Sequence, residues 1–345
     1  MIEYNYLVNV VISMKINSII NLNLFVFVVL ALILALTIDI IFGELPTRIH
    51  PVVIIGSFTN FFKRQFIKIK NRLSGLLVVI SVCLVSAIVL YITYFICSSN
   101  VILLFIMFII LLSATFSVNM LLQTALDVKN ALDDDIEKAR QLVSYLVSRD
   151  TDELTESFIV SATVESLTEN ITDSYVAPIF YYMIFAAVIL IYPFDNHLFY
   201  LLLVPTLYRI FNTLDAMLGY KTPELINIGY VPAKNDDILN YIPSRIAGIC
   251  VVISAYLLKL DGKNAYEIMR RDARVCPSPN SGYTMATTAG ALNIQLIKKD
   301  IYILGDDNKH ITSDDISKAV KLSKMTIILF TIIIILLYSL LFVIL

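Results

Sequence analysis

Residues 165–193 read ESLTENITDSYVAPIFYYMIFAAVILIYP. Two kinds of sequence meet here. Glu165, Glu169 and Asp173 are spaced four apart. A helix turns about 100° per residue, so the three carboxylates fall within a stripe about 80° wide. Like charges at that spacing repel by a few tenths of a kcal/mol per pair, at roughly 0.2–0.5. The other face (Ile159, Ala162, Leu167) is apolar, and the pattern predicts a helix from near Ser157 to about Asp173, with Pro178 opening the apolar run that follows. Either the acidic row is a solvated face or something cationic sits on it. Spacing alone leaves both open.

The apolar run is one of several. The chain of 345 residues is 58% hydrophobic and 16% charged, against about 45–50% and about 25% for soluble domains. That balance marks an integral membrane protein. A bilayer core needs roughly 20 apolar residues per helix, and the candidate spans are 24–42, 76–96, 101–122, 177–193, 197–214 and 325–345. The expected fold is all-α, a polytopic membrane helical bundle of about six spans whose cytoplasmic helical loops carry the active site. Residues 1–23 read as an N-terminal tail without a signal-peptide cleavage site, and 24–345 as a single membrane domain.

Loop 43–75 holds Arg48, Lys63, Arg64, Lys68, Lys70 and Arg72 against Glu44 alone. The positive-inside rule puts it in the cytoplasm. Alternation then places 123–176 and 215–324 there as well, with both termini outside. IPSRIAGICVVISAYLLKL (242–260) tempts a seventh span, but crossing there would carry Lys263, Arg270, Arg271 and Arg274 outside. It reads instead as a helix buried against the bundle or lying in the interface. The net charge of −2 says nothing about a nucleic-acid partner, and no Arg/Lys block suggests one, so none is expected. Cys83, Cys97, Cys250 and Cys276 show neither a CxxC nor metal-ligand spacing.

The chemically capable residues collect in the cytoplasmic segments. Hard oxygen ligands on one rigid face suit Mg²⁺, which makes Glu165, Glu169 and Asp173 candidates beside the neutral Asn170. In Ser148–Thr151 (SRDT), Asp150 is an N-cap candidate and Arg149 is able to grip a phosphate bidentately; a cap plus a surface cation is the plainer reading. In 208–224, Arg209, Asn212, Thr213 and Ala216 share a helical face, Asp215 lies aside, and Gly219 ends the helix. Such a stripe in apolar sequence calls for a partner, either an acid on another helix or a ligand. Asp236 and Asp237 precede Asn240 and Arg245 near Pro243. PSPNSG (277–282) is turn chemistry that can present Ser278, Asn280 and the Gly282 backbone to an anion at a helix N-terminus. His50 stands alone, and capping or packing is its plainer reading. No P-loop and no GxGxxG after a strand occurs.

In order, TIDIIFGELPTRIHPVVIIG (37–56), SRDTDEL (148–154), VESLTENITDSYVAPIFYY (164–182), YRIFNTLDAMLGYK (208–221), DDILNYIPSRIAG (236–248) and RDARVCPSPNSGYTMATTAGAL (271–292) resemble the CobD/CbiB family of cobalamin biosynthesis. The resemblance covers roughly residues 25 to 305. It departs from the family pattern at Glu44-Leu45-Pro46, where the family has Asp-Pro after the glycine, and at Ser148, where the family has Gly. The resemblance implies an adenosylcobinamide-phosphate synthase. Such an enzyme joins adenosylcobyric acid to (R)-1-aminopropan-2-yl phosphate, or a related amino-alcohol phosphate, and consumes ATP with Mg²⁺. Carried over to this chain with the motif position Asp39, it implies catalysis by Glu169, Asp236, Asp237 and Arg209. Arg149, Asp150, Asn170, Asn212, Asp215, Asn240, Arg245, Arg271, Asp272, Ser278, Asn280, Gly282 and His50 would hold substrate and phosphate, and Glu165, Glu169 and Asp173 would hold Mg²⁺. Partners are the lipid bilayer and the two substrates, with other corrinoid-pathway enzymes as candidates. The alternatives are a transporter, against which the nearly charge-free spans count, and a non-catalytic membrane scaffold.

Overall fold

A computed structural model describes residues 2–345, with side chains from residue 22 onward. The tail expected over 1–23 therefore lies, through residue 21, outside the described side chains. The helices in chain order are α1 (Ile2–Phe42), α2 (Pro51–Phe66), α3 (Arg72–Cys97), α4 (Val101–Ser113), α5 (Val118–Asp134), α6 (Ile136–Ser144), α7 (Glu156–Ile171), α8 (Ala177–Ile191), α9 (His197–Leu218), α10 (Tyr230–Leu239), α11 (Tyr241–Leu257), α12 (Gly262–Asp272), α13 (Gly282–Leu292) and α14 (Ser313–Ile344). One antiparallel hairpin, β1 (Leu296–Lys298) with β2 (Tyr302–Leu304), interrupts them between α13 and α14. Six helical units are long and apolar enough to cross a membrane, at the six expected places. α10 and α11 together make a bent pair at 46° that also passes, so the number is six, or seven with that pair counted as one span.

Sequence chemistry explains where the helices begin. Asn71 and Asn100 cap α3 and α4 through their side-chain oxygens, and Thr312 with Asp315 forms a capping box on α14. Pro51 opens α2, with His50 Nδ1 accepting from the Val52 N–H at 3.2 Å. The expected span 101–122 is broken at residues 114–117. Asp39, buried on α1, takes over there: its Oδ2 accepts from the Val118 and Asn119 N–H groups at 3.0 and 2.9 Å. α5 thus borrows its N-cap from another helix.

The acidic segment does not stop before the apolar run. α7 passes through a π-helical turn, Thr172–Val176, straight into α8, giving a unit from Glu156 to Ile191. Pro178 falls inside this unit, and its missing N–H leaves the Ser174 carbonyl to accept from the Ser117 N–H at 2.9 Å instead. The break between α10 and α11 has a similar cause. Pro243 cannot donate to the carbonyl four residues back, and the freed Leu239 oxygen accepts from the Tyr181 hydroxyl at 2.8 Å.

The largest apolar cluster joins α1, α4, α8, α9 and α14 around Phe108, Tyr175, Tyr182 and Phe330. Outward-facing side chains such as Leu30, Ile80, Leu84, Ile88, Leu336 and Leu340 are exposed on these and neighbouring helices, the surface a bilayer would cover. A second cluster packs α7, α13, α14 and the hairpin into a polar-capped body at one end of the bundle. At its centre α13 is buried at every position except Tyr283. α11 buries Ala247, Cys250, Val251 and Ser254, while Ile249, Ile253 and Tyr256 remain exposed. Replacing Asp39 by Ala removes the cap of α5 and is expected to cost about 0.5–2 kcal/mol. Asp39→Asn, which keeps an acceptor, should lose less. Thermal unfolding of the detergent-solubilised protein followed by circular dichroism measures this, as the chain has no Trp.

Candidate active site

The π-helical turn shapes the site. Hydrogen bonds from residue i to i+5 leave carbonyls of the turn without their usual α-helical partners, and such turns are frequent at functional sites. Here Asp173 O accepts from Arg209 at 3.4 Å and Ser174 O from the Ser117 N–H at 2.9 Å. The polar stripe on α9 thereby finds the acid on another helix that the sequence called for. Asn212 Nδ2 donates to Asp173 Oδ2 at 3.1 Å, and Arg209 also donates to Asn212 Oδ1 at 3.2 Å.

Beside this junction lies a cavity of about 270 Å³ whose wall holds Glu169, Asp173, Asp215, Asp236 and Asp237, with Lys221 as its one cation among the described residues. α7 and its π-turn, α9, α10 and the loop 277–281 each supply part of the wall. Gly219 makes room for the carboxylate one turn earlier: a Cβ there would stand 2.1 Å from Asp215 Oδ1. Asn240, at the α10–α11 break, donates to Asp236 Oδ2 at 3.0 Å and accepts from the Tyr208 hydroxyl at 2.9 Å. Asp236 Oδ1 is buried and has no hydrogen-bond partner among the described residues. A buried acceptor of this kind costs free energy unless something fills it.

A smaller cavity of about 100 Å³ adjoins the first, the two sharing Glu169; its wall includes Arg149, Glu165, Asn170, Lys298 and Tyr302. Glu165 does not stand with Glu169 and Asp173 as a free carboxylate. It is 3% exposed, pairs with Arg149 at 2.7 Å, and accepts from Ser161 and Tyr302 at 2.7 and 2.8 Å. Its capacity is used by the protein. Burial and the neighbouring Glu165 charge raise the Tyr302 phenol above its ordinary value, keeping it a donor.

The remaining sequence candidates divide. Asn170 lines the smaller cavity and donates to Ser166 O at 2.8 Å. Asp150 is exposed and caps no helix; it closes a turn by accepting from the Asp152 N–H at 3.0 Å, and Thr155 is the N-cap of α7. Arg245 is committed: it stacks on Tyr241 and Tyr283 at 3.5 and 4.3 Å and donates to Asn280 Oδ1 at 3.0 Å. Asn280 in turn donates to Asp237 O at 2.8 Å, so this pair pins loop 277–281 onto α10 and α11. Ser278 accepts from the Asn280 N–H at 3.2 Å, and its residue lines the acidic cavity. Gly282 allows close packing, since a Cβ there would meet Ala273 O at 2.2 Å.

Arg271 and Asp272 fasten the hairpin rather than the cavity. Arg271 grips Asp272 through two bonds at 2.7 and 2.8 Å and also donates to Asp306, while Asp272 accepts from the Gly305 N–H at 2.8 Å. His50 pairs with Glu44 at 2.6 Å, and Ser117 donates to the same carboxylate. Burial would raise the Glu44 carboxyl, but those hydrogen bonds hold it below its ordinary value. The four cysteines are free, and burial pushes the Cys276 thiol up to about 11, away from nucleophilic use. Sequence reasoning missed Tyr208, Lys221, Lys298 and Tyr302. Tyr208 heads the YRIFNTLD motif and Lys221 ends it; Lys298 and Tyr302 lie beyond any motif and meet the site only through the hairpin.

The profile of the CobD/Cbib protein family matches residues 32–323. The chain belongs to the CobD/CbiB family. A "Probable cobalamin biosynthesis protein CobD" of Methanothermobacter thermautotrophicus is 44% identical over 300 residues, covering 87% of this chain and 94% of the relative. A protein of the same description from Methanothrix thermoacetophila is 37% identical, covering 84% and 90%. The "Cobalamin biosynthesis protein CobD" of Dehalococcoides mccartyi is 34% identical, covering 84% and 91%. No solved structure matches. As a CobD/CbiB member the chain is a cobalamin biosynthesis protein, and the acidic cavity lies within the matched region. Arg149→Met would strand the buried Glu165 and is expected to cost about 3–5 kcal/mol. The double variant Arg149→Met/Glu165→Met should lose much less, read as the thermal midpoint in detergent.

Proposed function

We propose that this CobD/CbiB chain is an ATP- and Mg²⁺-dependent ligase. It joins the carboxyl of adenosylcobyric acid to the amine of (R)-1-aminopropan-2-yl phosphate or a related amino-alcohol phosphate, giving adenosylcobinamide phosphate. The observation that carries the reading is the carboxylate-lined cavity with an unpartnered, buried Asp236 Oδ1. Among the described residues no three His, Cys, Asp or Glu groups are close enough to hold a metal by themselves. Mg²⁺ commonly takes one or two carboxylates, water and substrate phosphate oxygens. The donor set here fits that habit: one or two of the cavity carboxylates Glu169, Asp173 and Asp236 would hold the ion, with water and substrate phosphate oxygens completing its shell. When bound, Mg²⁺ neutralises phosphate charge during phosphoryl transfer.

The chain's own residues do the rest. A carboxylate is a poor acceptor for an amine, so the corrinoid carboxyl first takes the γ-phosphoryl group of ATP, releasing ADP. The amine then displaces phosphate from the acyl phosphate, forming the amide. A carboxylate of the cavity, Asp215 or Asp237, accepts the ammonium proton. Arg209 fixes the π-turn that presents Asp173. Asn212, Asn240 and Tyr208 orient Asp173 and Asp236. Arg245 and Asn280 hold the 277–281 loop as one wall. The basic loop 43–75 supports a cytoplasmic placement for the polar-capped body in a multi-pass cell-membrane protein, where ATP is available.

The test supplies adenosylcobyric acid, aminopropanol phosphate, ATP and Mg²⁺ to the detergent-solubilised protein and follows the corrinoid by mass. The expected result is a new amide mass that disappears when ATP is omitted or Mg²⁺ is chelated. Glu169→Gln keeps the side-chain shape and removes a charge. It is expected to lower turnover at least about tenfold and to raise the Mg²⁺ needed for half-maximal rate, as weakened metal sites do. Unchanged turnover at ordinary Mg²⁺ would remove Glu169 from the metal site.

A further inference from the structure

The two polar cavities that share Glu169 differ in charge. The larger has five carboxylates against Lys221. The smaller balances Arg149 and Lys298, half-buried on β1, against Glu165 and the shared Glu169. Arg149 spends its fork on Glu165 and on Ile297 O, at 2.7 and 3.2 Å, leaving its buried Nε without a partner among the described residues. Lys298 is in no ion pair among the described residues. Its ammonium sits 6.0 Å from the Tyr302 ring centroid. A half-buried cation with no carboxylate at ion-pair distance, in the wall of a cavity that also holds Asn170, is chemistry for a phosphate.

We propose that the Lys298 cavity is the phosphate subsite for the amino-alkyl phosphate, whose ammonium end reaches past Glu169 into the carboxylate-lined cavity. The proposal rests on the ligase reading and deepens it by placing one substrate. Two features favour this occupant over the terminal phosphate of a nucleotide. The first is polarity: a zwitterion with a cationic amine two carbons from its phosphate ester oxygen matches a cavity whose uncommitted cation is Lys298, joined through Glu169 to an acidic one. A nucleotide is anionic along its whole phosphate chain and has no ammonium end to set against the carboxylates. The second is size. At about 100 Å³ the cavity falls well short of the roughly 300–1,000 Å³ that encloses drug-sized ligands, so it takes a phosphate group and little more. Five carboxylates against one lysine also leave charge for both a divalent cation and an ammonium in the larger cavity.

The test is calorimetric titration of the full chain in detergent with 1-aminopropan-2-yl phosphate, 1-aminopropan-2-ol, inorganic phosphate and Mg²⁺–ATP. Lys298→Met is expected to weaken amino-alkyl phosphate binding about ten- to a hundredfold, as loss of a charge-assisted bond does. Inorganic phosphate should weaken in parallel, while 1-aminopropan-2-ol and ATP stay unchanged. Lys298→Arg should restore most of the affinity, and Lys299→Met, at an exposed neighbour, should change nothing. Weakened ATP with intact amino-alkyl phosphate binding would assign the subsite to the nucleotide and overturn the proposal. Equal affinities for wild type and Lys298→Met would overturn it outright, even if the amide product forms. Lys298-dependent binding of the amino-alkyl phosphate without any amide product would instead defeat the ligase reading and leave the subsite in place.

Discussion

Mutual repulsion among five carboxylates around one cavity is the constraint that the surrounding architecture answers. At an effective dielectric near 20 a close pair of like charges is worth on the order of a few kcal/mol, so these groups do not converge unless other contacts hold them. The π-turn commits Asp173 through Arg209 and Asn212. Asn240, wedged at the α10–α11 break, holds Asp236. Gly219 leaves the space that Asp215 occupies. The repulsion is concentrated where a cation is able to relieve it.

The cationic side chains show the opposite pattern. Arg149, Arg245 and Arg271 all have protein partners, on Glu165, Asn280 and Asp272 respectively. Planar, forked guanidiniums are well suited to such fixed contacts. The two cations left facing the polar cavities without a protein carboxylate are lysines, Lys221 and Lys298, among the described residues. Framework and reactive surface thus use different basic residues: arginine fastens loops and the hairpin, and lysine faces the ligand space.

Membrane and site are mechanically one piece. The unit from Glu156 to Ile191 carries the acidic row at one end and a membrane-length apolar stretch at the other. Asp39, on the first span, caps the helix that continues the third. Displacing a span would therefore disturb the cavity wall directly. Close packing of α13 against α12, where a Cβ at Gly290 would stand 2.7 Å from Asn264 O, makes the polar-capped body similarly unyielding.

The sequence by itself determined the membrane class, the six apolar helices and the family, because apolar run length and motif order are local properties of the chain. It also brought Glu169 and Asp173 forward by their four-residue spacing, and Asp215, Asp236 and Asp237 through the family motifs they stand in. Only the tertiary structure decided which candidates share a space. Glu165 has the same four-residue spacing as Glu169, yet it is bound to Arg149, whose side chain arrives from the preceding loop. Asp39 and His50 stand in a motif and prove to be caps. Lys298 had no motif and came to the site on a hairpin more than a hundred residues along the chain from Glu169. Spacing along one helix fixes which side chains share a face. Whether a charge on that face is neutralised or left free depends on segments distant in sequence, and periodicity carries no record of them.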